Sequence, residues 1–424
     1  MRRHVAGCAL FWMVLLTEPA GAADWTRFRG PQGLGMSREV DLPAQWSAEE
    51  NVVWRTALPG LGTSSPITVG NRVYLTCYSG YGIEPNRGAQ ENLLRHLVCL
   101  DRQSGEIQWT KDFAPAFPES NYEGGNSSWH GYSSSTPTTD GNHLFVFFGA
   151  SGVFCLDLDG NQRWHAEVGD RTHRWGSATS PLLYEDLVII NASVESQSLV
   201  ALHKETGEEV WRTGGIQRSW NTPNFVELED GRVELVVSIQ KSVLGLEPRT
   251  GEQLWHCDGI PTYVCPSIIT HQGIVFASGG RGKQFVMAIQ PGGRGDVTES
   301  HRLWVTEKGS NVSSPVFHQG FIYCANDRRG IAFCFNAETG EVVYEERLKP
   351  RPGVIYASAT VADGKIYYVS QHEGIYVVAA KPEFELLHRN RLGEDTSRTN
   401  AGVVISGGQL LIRNDRYLYC IGHP

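Results

Sequence analysis

The sequence predicts an all-β chain closed into an eight-bladed β-propeller. Three observations carry that prediction: a segment that recurs with a terminal tryptophan, a Ser/Thr-Pro step at a near-constant interval, and short runs of alternating apolar residues between them. The segment runs from Leu100 to Trp109 (LDRQSGEIQW) and returns from Leu202 to Trp211 and from Leu246 to Trp255. A shorter copy spans Leu156 to Trp164, and one ending in tyrosine spans Phe335 to Tyr344. Each has a glycine at the turn, which supplies the positive φ of a tight hairpin, so each reads as two strands folded back on one another.

The second marker precedes each repeat. It stands at Ser65-Pro66, Thr136-Pro137, Ser180-Pro181, Thr222-Pro223, Cys265-Pro266 and Ser314-Pro315, with degenerate copies at Ser358-Ala359 and Asn400-Ala401. Successive intervals are 71, 44, 42, 43, 49, 44 and 42 residues. Between markers lie period-2 runs such as Arg72 to Thr76, Gly320 to Cys324 and Lys365 to Val369. Four short strands per unit at that period is a propeller blade, and there are eight units.

The last unit, Asn400 to Ile421, holds three strands. The missing fourth is Asn51 to Arg55, which carries a repeat tryptophan, Trp54, with no strands before it. Pairing the two pieces closes the ring and removes both open sheet edges. The propeller therefore spans residues 51–424. Residues 23–50 have turn chemistry and no strand period, and form an N-terminal extension expected to wrap the outside of the closure. Trp54, Trp109, Trp164, Trp211, Trp255 and Trp304, with Tyr344 in the seventh slot, are expected to pack between blades. Each buried tryptophan removes about 150–250 Å² from water, an upper bound of about 4–6 kcal/mol.

Ahead of the extension, Arg2 and Arg3 precede an apolar run from Val5 to Leu16 and small residues at Ala20-Gly21-Ala22. Residues 1–22 read as a secretory signal peptide, too short in its apolar run to span a bilayer. The expected location is periplasmic or secreted, with no membrane span. The formal charge of −9 excludes a general nucleic-acid binder. Cys99, Cys155, Cys334 and Cys420 share one repeat position with Ala201, Gly245 and Ala288, which marks a buried small-residue slot. Cys77 with Cys99, Cys324 with Cys334, and Cys257 with Cys265 remain open as disulfide pairs.

The repeat resembles the pyrroloquinoline-quinone (PQQ) repeat. Its Ala/Cys-x-Asp-x-x-Thr-Gly-x-x-x-Trp pattern is similar to the tryptophan-docking motif of quinoprotein dehydrogenases and of BamB-type envelope propellers. Trp25-x-x-Phe28-Arg29-Gly30-Pro31 followed by Ser64-Ser65-Pro66 resembles the opening of exported PQQ-like repeat proteins. The resemblance covers residues 54–421 and implies an eight-bladed ring rather than a reaction. Its enzymatic members imply a quinone above a vicinal disulfide, with calcium and a catalytic aspartate. This chain has neither adjacent cysteines nor a Cys-x-x-Cys-His haem motif, so no cofactor is expected, PQQ with calcium being the alternative.

No zinc spacing and no nucleophile elbow is present. Ala277 to Gln284 resembles a phosphate loop but lacks its first glycine and its Ser/Thr and lies between two strands. The candidate site is instead a face. Loops between second and third strands hold Lys241, Arg281, Lys283, Arg328, Arg329, Arg413 and Arg416, and inter-blade connections add Arg174, Arg218, Lys308 and Arg398. Both kinds of loop open on one side of a propeller. Trp129, Tyr132, Trp175, Trp220, Tyr263 and Tyr356 precede innermost strands and are expected to ring the channel mouth there. The predicted binding set is Trp175, Trp220, Tyr263, Tyr356, Arg281, Lys283, Arg328, Arg329, Arg413 and Arg416. Insertions at 79–96 and 113–133 extend the same side. The reading is an exported monomer that binds an envelope protein or anionic polysaccharide. The alternatives are a periplasmic quinoprotein-type oxidoreductase and a BamB-like assembly scaffold.

Overall fold

A computed structural model of the protein describes residues 23–83, 88–116, 119–121 and 130–423. The predicted signal peptide and Trp129 lie outside the described residues. Among the described residues eight sheets are arranged as blades of four antiparallel strands, each ordered from its first strand at the axis to its fourth outside, and blade 4 adds a short parallel fifth, Gly295–Asp296. Blade 1 comprises Ile67–Val69, Arg72–Ser79, Leu94–Asp101 and Ile107–Phe113. Blade 8 comprises Val404–Ser406, Gln409–Arg413 and Tyr417–Ile421, with Val52–Ala57 as its outer strand. That strand pairs Trp54 with Cys420 and Ala57 with Tyr417, the closure expected from the sequence. Ala277–Gln284 is the end of one strand and the turn into the next.

The register explains the recurrent tryptophan. It stands opposite the small residue of the third strand: Trp109 against Cys99, Trp164 against Cys155, Trp211 against Ala201, Trp255 against Gly245 and Trp304 against Ala288. The indole then reaches the next blade. Nε1 of Trp54, Trp164 and Trp304 donates to the carbonyls of Arg102, Lys204 and Ala337 at 2.9, 2.8 and 3.1 Å. The neighbouring turn has to be glycine there. At Gly251, φ is +71°, and a Cβ would sit 2.4 Å from the Trp211 ring. Trp255 departs from this pattern and donates to the Glu234 carboxylate at 2.6 Å.

Hydroxyls bind the innermost strands into a circle. The backbone N–H of Ser65 donates to the Thr136 hydroxyl, and the same step links Thr136 to Ser180, Ser180 to Thr222, Thr222 to Ser267, Ser267 to Ser314 and Ser314 to Ser358, at 3.0–3.4 Å. Each of these residues lies two positions before its innermost strand. Ser267, not Cys265, therefore holds the blade 5 position, and Gly402, not Asn400, that of blade 8. A proline after Cys265 imitates the marker without supplying its hydroxyl.

Only the later part of the extension packs on the closing blade, Leu42 and Trp46 joining the buried cluster of Trp54 and Ile421; its first part crosses the channel. Trp25 exchanges bonds with Thr68 of blade 1, and Thr139 of blade 2 donates to the Thr26 carbonyl at 3.0 Å. Arg27 donates to Asn224 of blade 4 at 3.0 Å. Arg29 donates to the Pro315 and Ala359 carbonyls beside the innermost strands of blades 6 and 7 at 2.5 and 3.4 Å. Backbone groups facing an open channel lack partners, and a buried polar group without one is costly. The segment supplies those partners, which a lack of strand period cannot foretell. Only later does the chain turn outward, where the Trp46 backbone N–H donates to Oδ1 of Asn390 and the Leu42 backbone N–H to the Asp363 carboxylate, both at 3.0 Å.

The disulfide options fall to alternation. Cys77 faces His96 while Cys99 faces Tyr74, and Cys324 faces Phe333 while Cys334 faces Tyr323. Odd offsets in register place the paired sulfurs on opposite faces of the sheet. The described cysteines, Cys257 and Cys265 included, are free thiols. Burial raises the Cys99 thiol to about 11 and that of Cys155 to about 12, so both stay protonated and inert.

Arg413 is corrected from surface cation to internal tie. It ends the second strand of blade 8 at 1% exposure, and its guanidinium donates to the Ser64 carbonyl and hydroxyl and to the Thr76 carbonyl at 2.9, 2.6 and 2.8 Å. Thr76 O also accepts the Ser64 hydroxyl, so it keeps one partner when Arg413 is removed. Arg413→Ala should therefore cost about 2 kcal/mol, as buried acceptors lose a charged donor, while exposed Arg416→Ala should change stability little. Denaturant unfolding of the two variants checks this; equal midpoints would contradict the assignment.

Candidate ligand-binding site on the channel axis

Closing the channel from one side turns it into a cup. Its inner chamber, about 210 Å³, has Phe28 of the crossing segment in its wall. Five members of the hydroxyl circle line it: Ser65, Thr222, Ser267, Ser314 and Ser358. A hydroxyl that accepts a backbone N–H keeps its own proton to donate, so this wall offers donors as well as acceptors. Trp175, Trp220, Tyr263 and Tyr356, all predicted, line the same chamber, joined by His130, Asn311 and Arg328.

The aromatic side chains brace one another. Trp175 and Tyr263 have ring centroids 4.2 Å apart at 82°, and Trp175 and Trp220 are 5.0 Å apart at 51°. Edge-to-face packing of this kind contributes about 0.5–1.5 kcal/mol per pair beyond burial. Trp220 is nearly buried and its Nε1 donates to the Gly176 carbonyl at 2.9 Å. His130 Nε2 bonds the Trp175 carbonyl, which can only accept, so Nδ1 is the acceptor for the Ser134 hydroxyl at 2.6 Å. Burial holds the His130 imidazole down to about 4, so it is neutral at neutral pH and serves to position Trp175.

A wider outer chamber, about 610 Å³, shares Trp175, Trp220, Tyr263, Asn311 and Arg328 with the inner one. Arg174, Arg218, Arg281, Arg328 and Arg329 surround it, with Asp327 as the one carboxylate among the described residues of its wall. Burial raises the Asp327 carboxyl above its ordinary value, which weakens its opposition to the cations. Burial lowers the His173 imidazole, and the neighbouring Arg218 and Arg174 lower it further. Arg328 joins the chambers: its guanidinium donates to the Tyr356 hydroxyl at 3.2 Å.

The predicted set thus divides. Trp175, Trp220, Tyr263, Tyr356, Arg281, Arg328 and Arg329 line these chambers. Lys283 pairs with Glu307 at 3.1 Å and lies outside both walls, as does exposed Arg416. Arg413 is internal, and Tyr132 packs against Tyr78 with centroids 5.4 Å apart instead of ringing the mouth. Sequence reasoning missed Phe28, His130, Asn311 and the hydroxyl circle. The recurring Ser/Thr of the marker was the available signal, since starting a strand after a turn does not require a hydroxyl.

The calcium and quinone implied by the dehydrogenase resemblance can be tested against these residues. The inner chamber offers hydroxyls, amides, an imidazole, a thiol and the Arg328 guanidinium, and among the described residues no Asp or Glu lines it. Calcium takes hard oxygen ligands, carboxylates above all. Among the described residues no group of three or more His, Cys, Asp or Glu side chains is arranged to hold a metal. The residues present do not fit the calcium of such a pair. Among the described residues no helix is long and apolar enough to cross a membrane.

Known proteins place this architecture. Tetrathionate hydrolase of Acidithiobacillus ferrooxidans is 20% identical over 368 residues, covering 78% of this chain and 67% of that one. Outer membrane protein assembly factor BamB of Burkholderia pseudomallei is 22% identical over 377 residues, covering 85% and 84%. Among solved structures, BamB from Moraxella catarrhalis matches with a TM-score of 0.57 at 12% identity, over 87% of this chain and 98% of that one. Quinohemoprotein alcohol dehydrogenase from Comamonas testosteroni matches with a TM-score of 0.64 at 10% identity, over 95% and 81%. At these identities the structural likeness shows the fold alone. The family model described as outer membrane protein assembly factor BamB matches residues 192–293 and 241–418, more than half of the chain, and the protein belongs to that family of PQQ-like propellers.

Proposed function

We propose that the protein is an exported binding propeller that captures an anionic partner of the cell envelope through the aromatic, cationic mouth of its channel. The observation that carries this reading is the pair of chambers sharing an aromatic wall, with five guanidinium groups around the outer one. Guanidinium pairs with carboxylate or sulfate in a planar fork, and aromatic faces add contact that salt does not screen. Membership in a family described by an envelope assembly factor supports the envelope as the setting. No metal cofactor is part of this reading, because among the described residues the inner chamber has no carboxylate to hold one. A scaffold for envelope proteins is the second reading, supported by the same family description and the BamB relatives.

The test is retention on immobilised polyglutamate and polygalacturonate against neutral dextran. The parent should be retained and elute with salt. Reversing Arg281, Arg328 and Arg329 to Glu should weaken capture about tenfold or more at low ionic strength. Trp175→Ala should weaken it at every salt concentration. Trp175 is the better probe than Trp220, whose burial makes its loss a stability change as well. Retention of both variants equal to the parent would overturn the proposal.

A further inference from the structure

We propose that the inner chamber receives the terminal sugar ring of an anionic saccharide, with its carboxylate or sulfate groups on the arginines of the outer chamber. This inference rests on the binding reading above and names its ligand class. The first support is shape. The chamber is a cup of about 210 Å³ with Phe28 in its wall, and the segment carrying Phe28 crosses the channel between blades. Such a cup admits the end of a chain and does not let a chain thread through.

The second support is the mixture of chemistries in one wall. A pyranose has apolar C–H faces and a rim of hydroxyls, each both donor and acceptor. The chamber matches both aspects: Trp175, Tyr263 and Tyr356 supply aromatic surface, while the circle of Ser and Thr hydroxyls and Asn311 supply polar contacts. An apolar peptide side chain would leave those polar groups facing hydrocarbon, at a cost.

The third support is a pair of orphaned polar atoms in the wall common to both chambers. Nε1 of Trp175, a donor, and Oδ1 of Asn311, an acceptor, are buried and have no hydrogen-bond partner. The rest of Asn311 is fixed: its amide nitrogen donates to the Tyr263 hydroxyl at 3.1 Å and its backbone N–H to Asp327 at 3.2 Å. A saccharide hydroxyl can accept from the one and donate to the other. Buried polar groups are ordinarily satisfied, so two orphans on residues of the shared wall point to a polar ligand.

The fourth support is charge. Arg328 stands in both walls, where an anionic substituent on the terminal ring would meet it, and Arg281 and Arg329 lie beyond for the following residues. Among the described residues, Arg281 and Arg329 make no ion pair. Peptide carboxylates could satisfy the arginines and accept from the hydroxyls, but, being acceptors only, they leave Oδ1 of Asn311 unpaired. The observations favour the saccharide.

The experiment titrates the mature protein with oligogalacturonates of three to six residues, with neutral maltohexaose and with polyglutamate, by calorimetry and tryptophan fluorescence. Oligogalacturonate should bind at least tenfold more tightly than maltohexaose and change the fluorescence. Affinity per chain end should level off once the chain is long enough to reach Arg281 and Arg329; affinity that keeps growing in proportion to length would overturn insertion of an end. Asn311→Ala should weaken oligogalacturonate about tenfold and polyglutamate hardly at all, and Trp175→Phe, which keeps the ring but loses the N–H, should do the same to a smaller degree. Arg416→Glu, outside both walls, should leave binding unchanged. Polyglutamate binding without oligogalacturonate binding would overturn the saccharide and leave the anionic face standing. Binding of neither would overturn both, and equal binding of maltohexaose would remove the role of charge.

Discussion

Deleting residues 400–424 should leave a chain with no cooperative melting transition. The deletion removes three strands of blade 8 and strands Val52–Ala57, which pairs with Tyr417–Ile421. Blade 8 also joins its neighbours: one buried cluster contains Val73 and Leu75 of blade 1, Tyr367 and Val369 of blade 7, and Leu411 and Ile421 between them. Without it, blades 1 and 7 expose these faces to water and the ring has two open edges. Burial is worth about 25 cal/mol per Å², and total stability is only about 5–15 kcal/mol, so the loss exceeds what the remaining blades can spare. The Arg413 bonds to Ser64 and Thr76 go as well. Circular dichroism on heating, with size exclusion, checks the outcome. A soluble truncated chain with a sharp transition would contradict closure by the N-terminal strand.

Arg29→Ala should lower stability by about 3 kcal/mol, the largest effect expected of a single substitution in the crossing segment. Arg29 is 4% exposed and donates to four carbonyls, those of Gly33, Leu34, Pro315 and Ala359. Two belong to its own loop and two to blades 6 and 7, so one side chain shapes the segment and fastens it to the ring. Burial without a carboxylate pulls the guanidinium down to about 9, still charged at neutral pH. Removing it relieves that desolvation but leaves carbonyls without donors, each costing about 1–3 kcal/mol. The second term wins because four acceptors depend on one cation. Arg29→Lys should recover little, since an ammonium lacks the planar fork that reaches Pro315 and Ala359 together. For a chain of this length, 3 kcal/mol lowers Tm by about 4 °C. A Tm within 1 °C of the parent would contradict the role assigned to the segment.

The blades were legible because a repeat states its rule many times. A small residue opposite Trp109, Trp164, Trp211 and Trp304 can be aligned without coordinates, and a tryptophan without strands before it, Trp54, betrays the closure. What happens once is harder to read. Residues 25–36 have no period, and their buried arginines look like any surface turn until the carbonyls they bind are known. Arg413 failed for a related reason: strand ends are uncertain by a residue or two, and extending the strand to Arg413 moves its side chain from the loop to the interior. The aromatic set was found because it recurs before innermost strands. Asn311 and His130 stand alone in the sequence and gain meaning only when the ring brings them beside Trp175.

Hydrogen exchange with and without a polyanion tests the central claim most directly. With excess oligogalacturonate or polyglutamate, the amides around Trp175, Trp220, Tyr263, Asn311 and Arg328 should exchange more slowly. The turns at Gly70, Asp363 and Gly407, between first and second strands on the opposite side of the ring, should be unchanged. Protection confined to those turns or to the outer strands would contradict a binding site at this mouth of the channel.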